Sequence, residues 1–209
     1  DIRQSPKFVY DFPRFVMPDQ IISNLGGSIH IFFISSYFGS AQVGLVSIVS
    51  SLLYVPITIF SSAVKDVFRQ RAIEDFESSK NCRPLYLKLL IPITLIAIIG
   101  FGFLYFVLPS FFRILFGPEW EDAGKYGQIL IPLFCFSFIS MSLKDIFVVV
   151  KKMHIALIWQ IFYIVILLFS LVAGTMYFSD LDITLYLMTF SGCIAHSLYM
   201  ILSFYYAKN

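Results

Sequence analysis

Six stretches of the chain are apolar over the length that a bilayer demands. A hydrocarbon core roughly 30 Å thick takes about 20 residues of helix at 1.5 Å rise each. Runs of that length, with charges only toward their ends, extend from Phe15 to Tyr37, Val43 to Val64, Leu89 to Leu108, Ile129 to Val150, Ile155 to Tyr177 and Ile183 to Tyr206. Transmembrane strands are half as long and alternate apolar with polar, a pattern absent here. The expected fold is all-α: one six-helix transmembrane bundle over residues 1–209.

Two connections, Phe38 to Gln42 and Ser179 to Asp182, are short enough to be tight turns. Helical character continues past the second run through Val67 to Glu77 and breaks at Ser78 to Asn81, with Pro84 suited to the next first turn. Pro109 to Gln128 is expected to be a loop. In it Phe111 to Phe116 form a short interfacial segment ended by Gly117, Pro118 restarts a helix whose first turn holds Glu119, Glu121 and Asp122, and Trp120 is an interfacial anchor. Pro18, Pro56, Pro92 and Pro132 fall inside four of the spans. They are either ordinary membrane prolines or hinges in a bundle that bends. No repeat of the first three helices in the last three is visible.

Polar side chains inside the spans are not scattered. At 100° per residue, Asp19, Gln20, Ser23, Asn24, Gly27, Ser28 and His30 share one half of the first helix, and Ile21, Ile22, Leu25, Ile29, Phe32 and Phe33 the other. The second span repeats the device with Ser47, Ser51, Tyr54, Thr58, Ser61 or Ser62, and Lys65. Such faces turn toward neighbouring helices or a wet cavity; rows of serine also serve packing alone. Asp19 and Lys144 lie at similar depth toward one face of the membrane, which permits an ion pair. Lys144 could instead snorkel to the headgroups and pair with Asp145. Free, it would suit an anionic headgroup. His30 and His196 are either proton carriers or hydrogen-bonded packing residues. Arg14, opposite the polar stripe, suits an anchor at the interface.

Composition agrees with the pattern: 58% hydrophobic, 13% charged and a mean hydropathy of +0.82, far from the balance of soluble domains. The net charge of +2 is a topological signal. Of 15 Lys and Arg, only Arg113 and Lys125 belong to one side of the membrane; the rest cluster before the first span, between the second and third, around the fourth-to-fifth turn and at the C-terminus. The positive-inside rule then predicts both termini in the cytoplasm. Scattered at the membrane edge, these basic residues do not form a nucleic-acid surface. Cys82, Cys135 and Cys193 have no spacing for a disulfide framework or zinc site. No nucleotide loop, metalloprotease or hydrolase motif occurs, so no enzyme activity, cofactor or metal is expected. A start at Asp1, with no signal-peptide pattern, suggests a piece of a longer chain.

Several local patterns coincide: Asp11-Phe12-Pro13 leading into Met17-Pro18, Tyr37-Phe38-Gly39 with Gly44, and Pro56 followed by Ala63-Val64, Val67-Phe68 and Gln70 with Ala72. Leu115-Phe116-Gly117, Trp120 and Ala123-Gly124 complete the series. Over roughly Lys7 to Gln160 the chain resembles the C-terminal lobe of Wzx-type polysaccharide transporters in the multidrug/oligosaccharidyl-lipid/polysaccharide superfamily; the last two helices match only in length and hydropathy. The resemblance implies two six-helix lobes around a central cavity in the bacterial inner membrane, with this chain as helices seven to twelve. It implies alternating access that moves undecaprenyl-pyrophosphate-linked oligosaccharide to the outer leaflet. Implied partners are the N-terminal lobe, the lipid-linked oligosaccharide, the bilayer and other polysaccharide assembly proteins.

The substrate-cavity candidates are Asp19, Gln20, Ser23, Asn24, His30, Ser51, Tyr54, Thr58, Lys65 and Lys144. Other readings are a cation-coupled drug antiporter of the same superfamily with Asp19 as the cation site, a membrane-embedded polymerase or acyltransferase, and a non-transporting scaffold docking through Val67 to Arg83. The outer loops, with one Arg and no His, do not favour the enzyme.

Overall fold

The computed structural model describes residues 12–208 and contains six long helices, each long and apolar enough to cross a membrane. Arg3, Lys7 and Asp11, used above for orientation and resemblance, lie outside the described residues. A π-helical turn, Phe12–Val16, runs directly into α1, Met17–Phe38. Then come α2, Ser40–Ser79, α3, Arg83–Phe116, and α4, Glu121–Ser142, which a 3-10 turn at Pro118–Trp120 precedes. After a one-turn helix at Ile146–Val149 follow α5, Met153–Ala173, prolonged by a π-turn at Gly174–Phe178, and α6, Leu181–Tyr206. Among the described residues there is no strand, only an isolated bridge between Asn81 and Lys208. The chain is an all-α, multi-pass membrane protein.

Glycine sets two of the turns. Gly39 alone separates α1 from α2 and Gly117 alone separates α3 from the Pro118 turn, at φ +86° and +109°, a region open chiefly to glycine. The predicted break near Ser79 and the restarts at Pro84 and Pro118 are present.

Three expectations need correction. Phe111 to Phe116 are the last turns of α3, not a separate interfacial segment. Pro109 removes one backbone donor there, but Leu108 and Phe112, buried to 2% and 1% exposure, hold the helix against α4. Pro18 is the second residue of α1, at its junction with the π-turn instead of deep inside the helix, and its missing N–H interrupts the ladder where the π-turn runs into α1. Finally, the fourth helix stops at Ser142, short of Val150. Hydroxyls of Ser140 and Ser142 donate to the carbonyls of Ser137 and Phe138, competing with the backbone ladder. A turn at Leu143 to Asp145 follows, and its exposed Lys144 carbonyl accepts a bond from the Tyr199 hydroxyl of α6 at 3.0 Å. Non-helical backbone at this depth survives because such partners replace the lost bonds.

Packing makes α4 the hub. It touches α2, α3 and α6; α5 packs on α6, and α1 bridges α5 and α2. Five helices therefore close a ring in the order α1, α2, α4, α6, α5, and α3 sits outside it, seated mainly on α4. Small residues permit the close crossings. A Cβ at Gly124 would strike the backbone of Pro109, one at Gly127 would come within 2.7 Å of Val49, and one at Gly192 would strike Leu133. The outer face of α3, including Ile99, Phe106 and Ile114, is exposed, as a lipid-facing surface must be.

At the end of the bundle that holds the α2–α3 connection and the C-terminus, Arg83 donates to the Phe204 and Tyr205 carbonyls at 3.1 and 2.9 Å, capping α6 with a cation. The backbone N–H of Cys82 donates to Ala207 O at 2.8 Å. Phe68, Ala72, Phe76 and Tyr86 are buried beside this clamp, so one face of Val67 to Arg83 is occupied by packing. Burial, aided by the nearby Asp75 carboxylate, pushes the Cys82 thiol from 9.0 up to about 11.

Replacing Gly192 or Gly124 with Leu should lower the unfolding temperature in detergent sharply, by the 1–3 kcal/mol of ordinary overpacking or more (roughly). Gly100→Ala, at a position with open space around it, should leave the temperature unchanged. Cys82 should resist iodoacetamide at pH 8 in the folded protein and react once the protein is denatured. Because the folded state holds the thiol proton more tightly, its contribution to stability is present below pH 9.0 and fades as pH rises through about 11.

Candidate functional site

The ring of five helices encloses a polar cavity. Its main chamber, about 460 Å³, is lined by Ser23, Asn24 and His30 of α1, Ser47, Ser51 and Tyr54 of α2, Ser137 of α4, Tyr163 of α5 and His196 of α6, with Leu133, Leu167 and Met188 among the apolar walls. A smaller chamber of about 130 Å³ shares Ser23, Tyr54, Ser137, Tyr163 and His196, and adds Ser140, Lys144, Trp159, Gln160 and Tyr199. No α3 residue lines either one. From Ser23 to Ile31 the α1 wall rises about 12 Å at 1.5 Å per residue. The main chamber falls within the size range of small-molecule sites.

Hydrogen bonds fix the floor. The Ser140 hydroxyl directs its one hydrogen to the Ser137 carbonyl at 3.0 Å, so it accepts from Nδ1 of His196 at 2.7 Å. The neutral ring is then left with Nε2 as an acceptor. Trp159 donates from its indole to the Ala195 carbonyl at 2.8 Å, stacks on Tyr163 and meets Tyr199 edge to face. Gln160 is 3% exposed and lines the small chamber.

At the base of the cavity, Lys144 Nζ lies 2.8 Å from Asp19 Oδ2. Lys144 belongs to the turn that ends α4, and Asp19 to the first turn of α1. Asp145 pairs with Arg69 at 3.6 Å instead. The other carboxylate oxygen, Asp19 Oδ1, is buried and accepts no hydrogen bond from the described residues. In this conformation Lys144 is thus a cation already met by the protein's own anion, a circumstance that depth along the chain does not reveal.

The structure divides the residues singled out from sequence. Ser23, Asn24, His30, Ser51, Tyr54 and Lys144 line the cavity, and Asp19 joins it through Lys144. Gln20 is exposed and lines neither chamber. Thr58 donates to its own helix at Val55 O, and Ser61 is directed to the α4 backbone at Phe138 O. Lys65 lies beyond the lining, on the α2 face below Ser61. Of the prolines, Pro56, Pro92 and Pro132 are inside helices, and none lines the two chambers. The sequence reading missed Ser137, Ser140, Gln160, Tyr163 and Tyr199. Gln160 could have been found as the one amide in an otherwise apolar fifth span; the serines and tyrosines could not be told from packing residues. Arg14 stacks over Phe15, 5.6 Å from the ring centre, and Phe15 meets His154 edge to face.

The fold and site define a multi-pass helical membrane protein with hydroxyl-bearing side chains around an internal chamber. The sequence profile of the polysaccharide biosynthesis protein family matches residues 6–125, more than half of the chain, and the protein belongs to that family. The match ends at Lys125, short of Gln160 where the resemblance was expected to end. Comparisons with curated proteins and with solved structures give no match. The family places the chain in polysaccharide synthesis or transport.

The pair makes an asymmetric prediction. Lys144→Gln strands the Asp19 carboxylate, whose side chain is 6% exposed, and should cost on the order of 3 kcal/mol of stability. Asp19→Asn should cost less, because Lys144 is 22% exposed and can reach water. The double variant should be more stable than Lys144→Gln alone; unfolding in detergent measures all three.

Proposed function

We propose that this protein is one lobe of a lipid-linked oligosaccharide flippase, working by alternating access in the bacterial inner membrane with both termini in the cytoplasm. The observation that carries this reading is the polar cavity inside an otherwise apolar bundle, with a cation at the end nearer the termini. A glycan needs hydroxyl and amide partners, and Ser23, Asn24, Ser47, Ser51 and Tyr54 supply them on two adjacent helices. A pyrophosphate needs positive charge, and Lys144 lies in the smaller chamber below. The order of the chambers suits an undecaprenyl-pyrophosphate-linked repeat unit whose phosphates stay toward the cytoplasm while its sugars point up the cavity. The polyisoprenoid tail remains in the bilayer.

Asn24, Ser28, Ser51 and Tyr54 at the mouth of the cavity are exposed. Amide and hydroxyl groups face hydrocarbon only at a cost. A second six-helix lobe against α1 and α2 would give them water or polar neighbours, as the two-lobed reading requires. An antiporter that binds a cation at Asp19 is less well supported, because a lysine already holds that carboxylate.

Cells carrying Lys144→Gln at normal protein levels should lose surface polysaccharide and accumulate lipid-linked repeat units inside; unchanged export would remove Lys144 from the mechanism. In the intact carrier, a cysteine at Asn24 should react with a water-borne maleimide and one at Ile59, 62% exposed on the lipid side of α2, should not. Equal silence at both positions would show the cavity to be dry and sink the transport reading.

A further inference from the structure

α1, which with α2 supplies much of the polar lining, is also thinly held by the bundle. α1 buries only Asp19, Gly26 and Ile34 along its 22 residues. It packs chiefly on α2 and α5 and not on the hub helix α4. It approaches α5 closely at Gly26, where a Cβ would come within 3.1 Å of Ile164, while the edge contact of Phe15 with His154 belongs to the π-turn before it. Its one ionic tie to the α4 end of the ring is Asp19 with Lys144. Two residues before Asp19 the backbone changes from π to α geometry, and Pro18 follows at once. Both features weaken the helical ladder at that junction.

The tie itself is incomplete. Asp19 is 4% exposed, yet Oδ1 has no donor among the described residues, while Oδ2 takes the whole of the Lys144 contact. A buried carboxylate with half its acceptor capacity unused is weakly held for its surroundings. Tyr199, which could have supplied a hydroxyl, is committed to the Lys144 carbonyl. Beside the pair is the chamber of about 130 Å³, which Lys144 also lines, with Ser23, Tyr54 and Gln160 around it. An anion entering that chamber reaches the same ammonium and brings its own oxygens to donors that Asp19 does not use.

We propose that Asp19 is an internal stand-in for the ligand's anion: with the site empty it latches α1 to the α4 turn through Lys144, and a phosphate-bearing ligand displaces it and frees α1 to swing at the Pro18 junction. The latch couples occupancy to movement without any covalent step, since only the state in which Asp19 has left Lys144 both binds the anion and releases the helix. Among the described residues, the charged and titratable groups around the pair are Tyr199 and His196 from α6, Tyr163 from α5, Tyr54 from α2, and Asp145 beside Lys144, itself drawn away by Arg69. The inference rests on the proposed flippase reading only for the identity of the anion.

The experiment uses the protein in lipid nanodiscs, with its three cysteines replaced by Ala and spin labels at Leu25→Cys and Phe190→Cys, both exposed on α1 and α6. Inorganic pyrophosphate is the probe. In the otherwise unsubstituted protein, saturating pyrophosphate should shift the interspin distance. The doubly neutral variant Asp19→Asn with Lys144→Gln, which leaves no charge stranded, should show the shifted distance without pyrophosphate and should not respond to it. Asp19→Asn alone should bind pyrophosphate more tightly by roughly tenfold, the factor expected if the competent state is populated about one part in ten. If the doubly neutral variant keeps the unshifted distance, or Asp19→Asn does not tighten binding, the latch is overturned, whatever the substrate. If Asp19→Asn and the doubly neutral variant behave as described but the cysteines at Asn24 and Ile59 are equally silent to maleimide, the latch stands and the flippase reading fails.

Discussion

Hydrocarbon offers no hydrogen bonds, and most of this architecture follows from that single condition. Every backbone N–H and C=O within the bilayer must find a partner inside the protein. Helices meet the requirement by themselves, which is why the described residues form six of them and no sheet. Where a helix stops within the bundle, the partners must be supplied from elsewhere, and the end of α4 shows how: serine hydroxyls, 3-10 bonds and the Tyr199 hydroxyl replace the missing ladder. Lys144 follows Ser137 by seven residues and Ser140 by four, so helical periodicity already aims it at the chamber those serines line, and the irregular turn ends the α4 wall at that point.

Once backbone bonds are satisfied, close contact decides how the helices assemble, since lipid tails are as apolar as the side chains they meet. Glycines at the crossings of α4 with α3, α2 and α6 let those pairs approach, and they build the compact part of the bundle. α1, by contrast, is loosely packed, and its polar face meets the hydroxyls of α2 and α4 across the cavity.

The six spans, the tight turns and the long extension of α2 were legible because they depend on local properties: length, apolar content and the positions of Gly and Pro. The periodicity of α1 likewise marked Ser23, Asn24 and His30 as one face, and that face lines the chamber. The α2 row was only half legible. Ser51 and Tyr54 turn inward, whereas Thr58 and Ser61 spend their hydroxyls on backbone carbonyls, a choice set by where α4 crosses. The end of α4 was not visible, because Phe138 to Val150 remains apolar and helix-prone and the break depends on Tyr199, some 55 residues away. Nor does Asp145 beside Lys144 reveal that each finds its partner on a different helix.

The position of α3 outside the ring has a consequence for how such a bundle can diversify. Its outer surface of Ile99, Phe106 and Ile114 is exposed and apolar, as a face against hydrocarbon must be, and none of its residues lines the two chambers. Substitutions there adjust the fit between protein and bilayer thickness, a property with small energies per ångström of mismatch, while leaving the chamber lining alone. One helix can drift with the membrane around it as the other five keep the shape of the cavity.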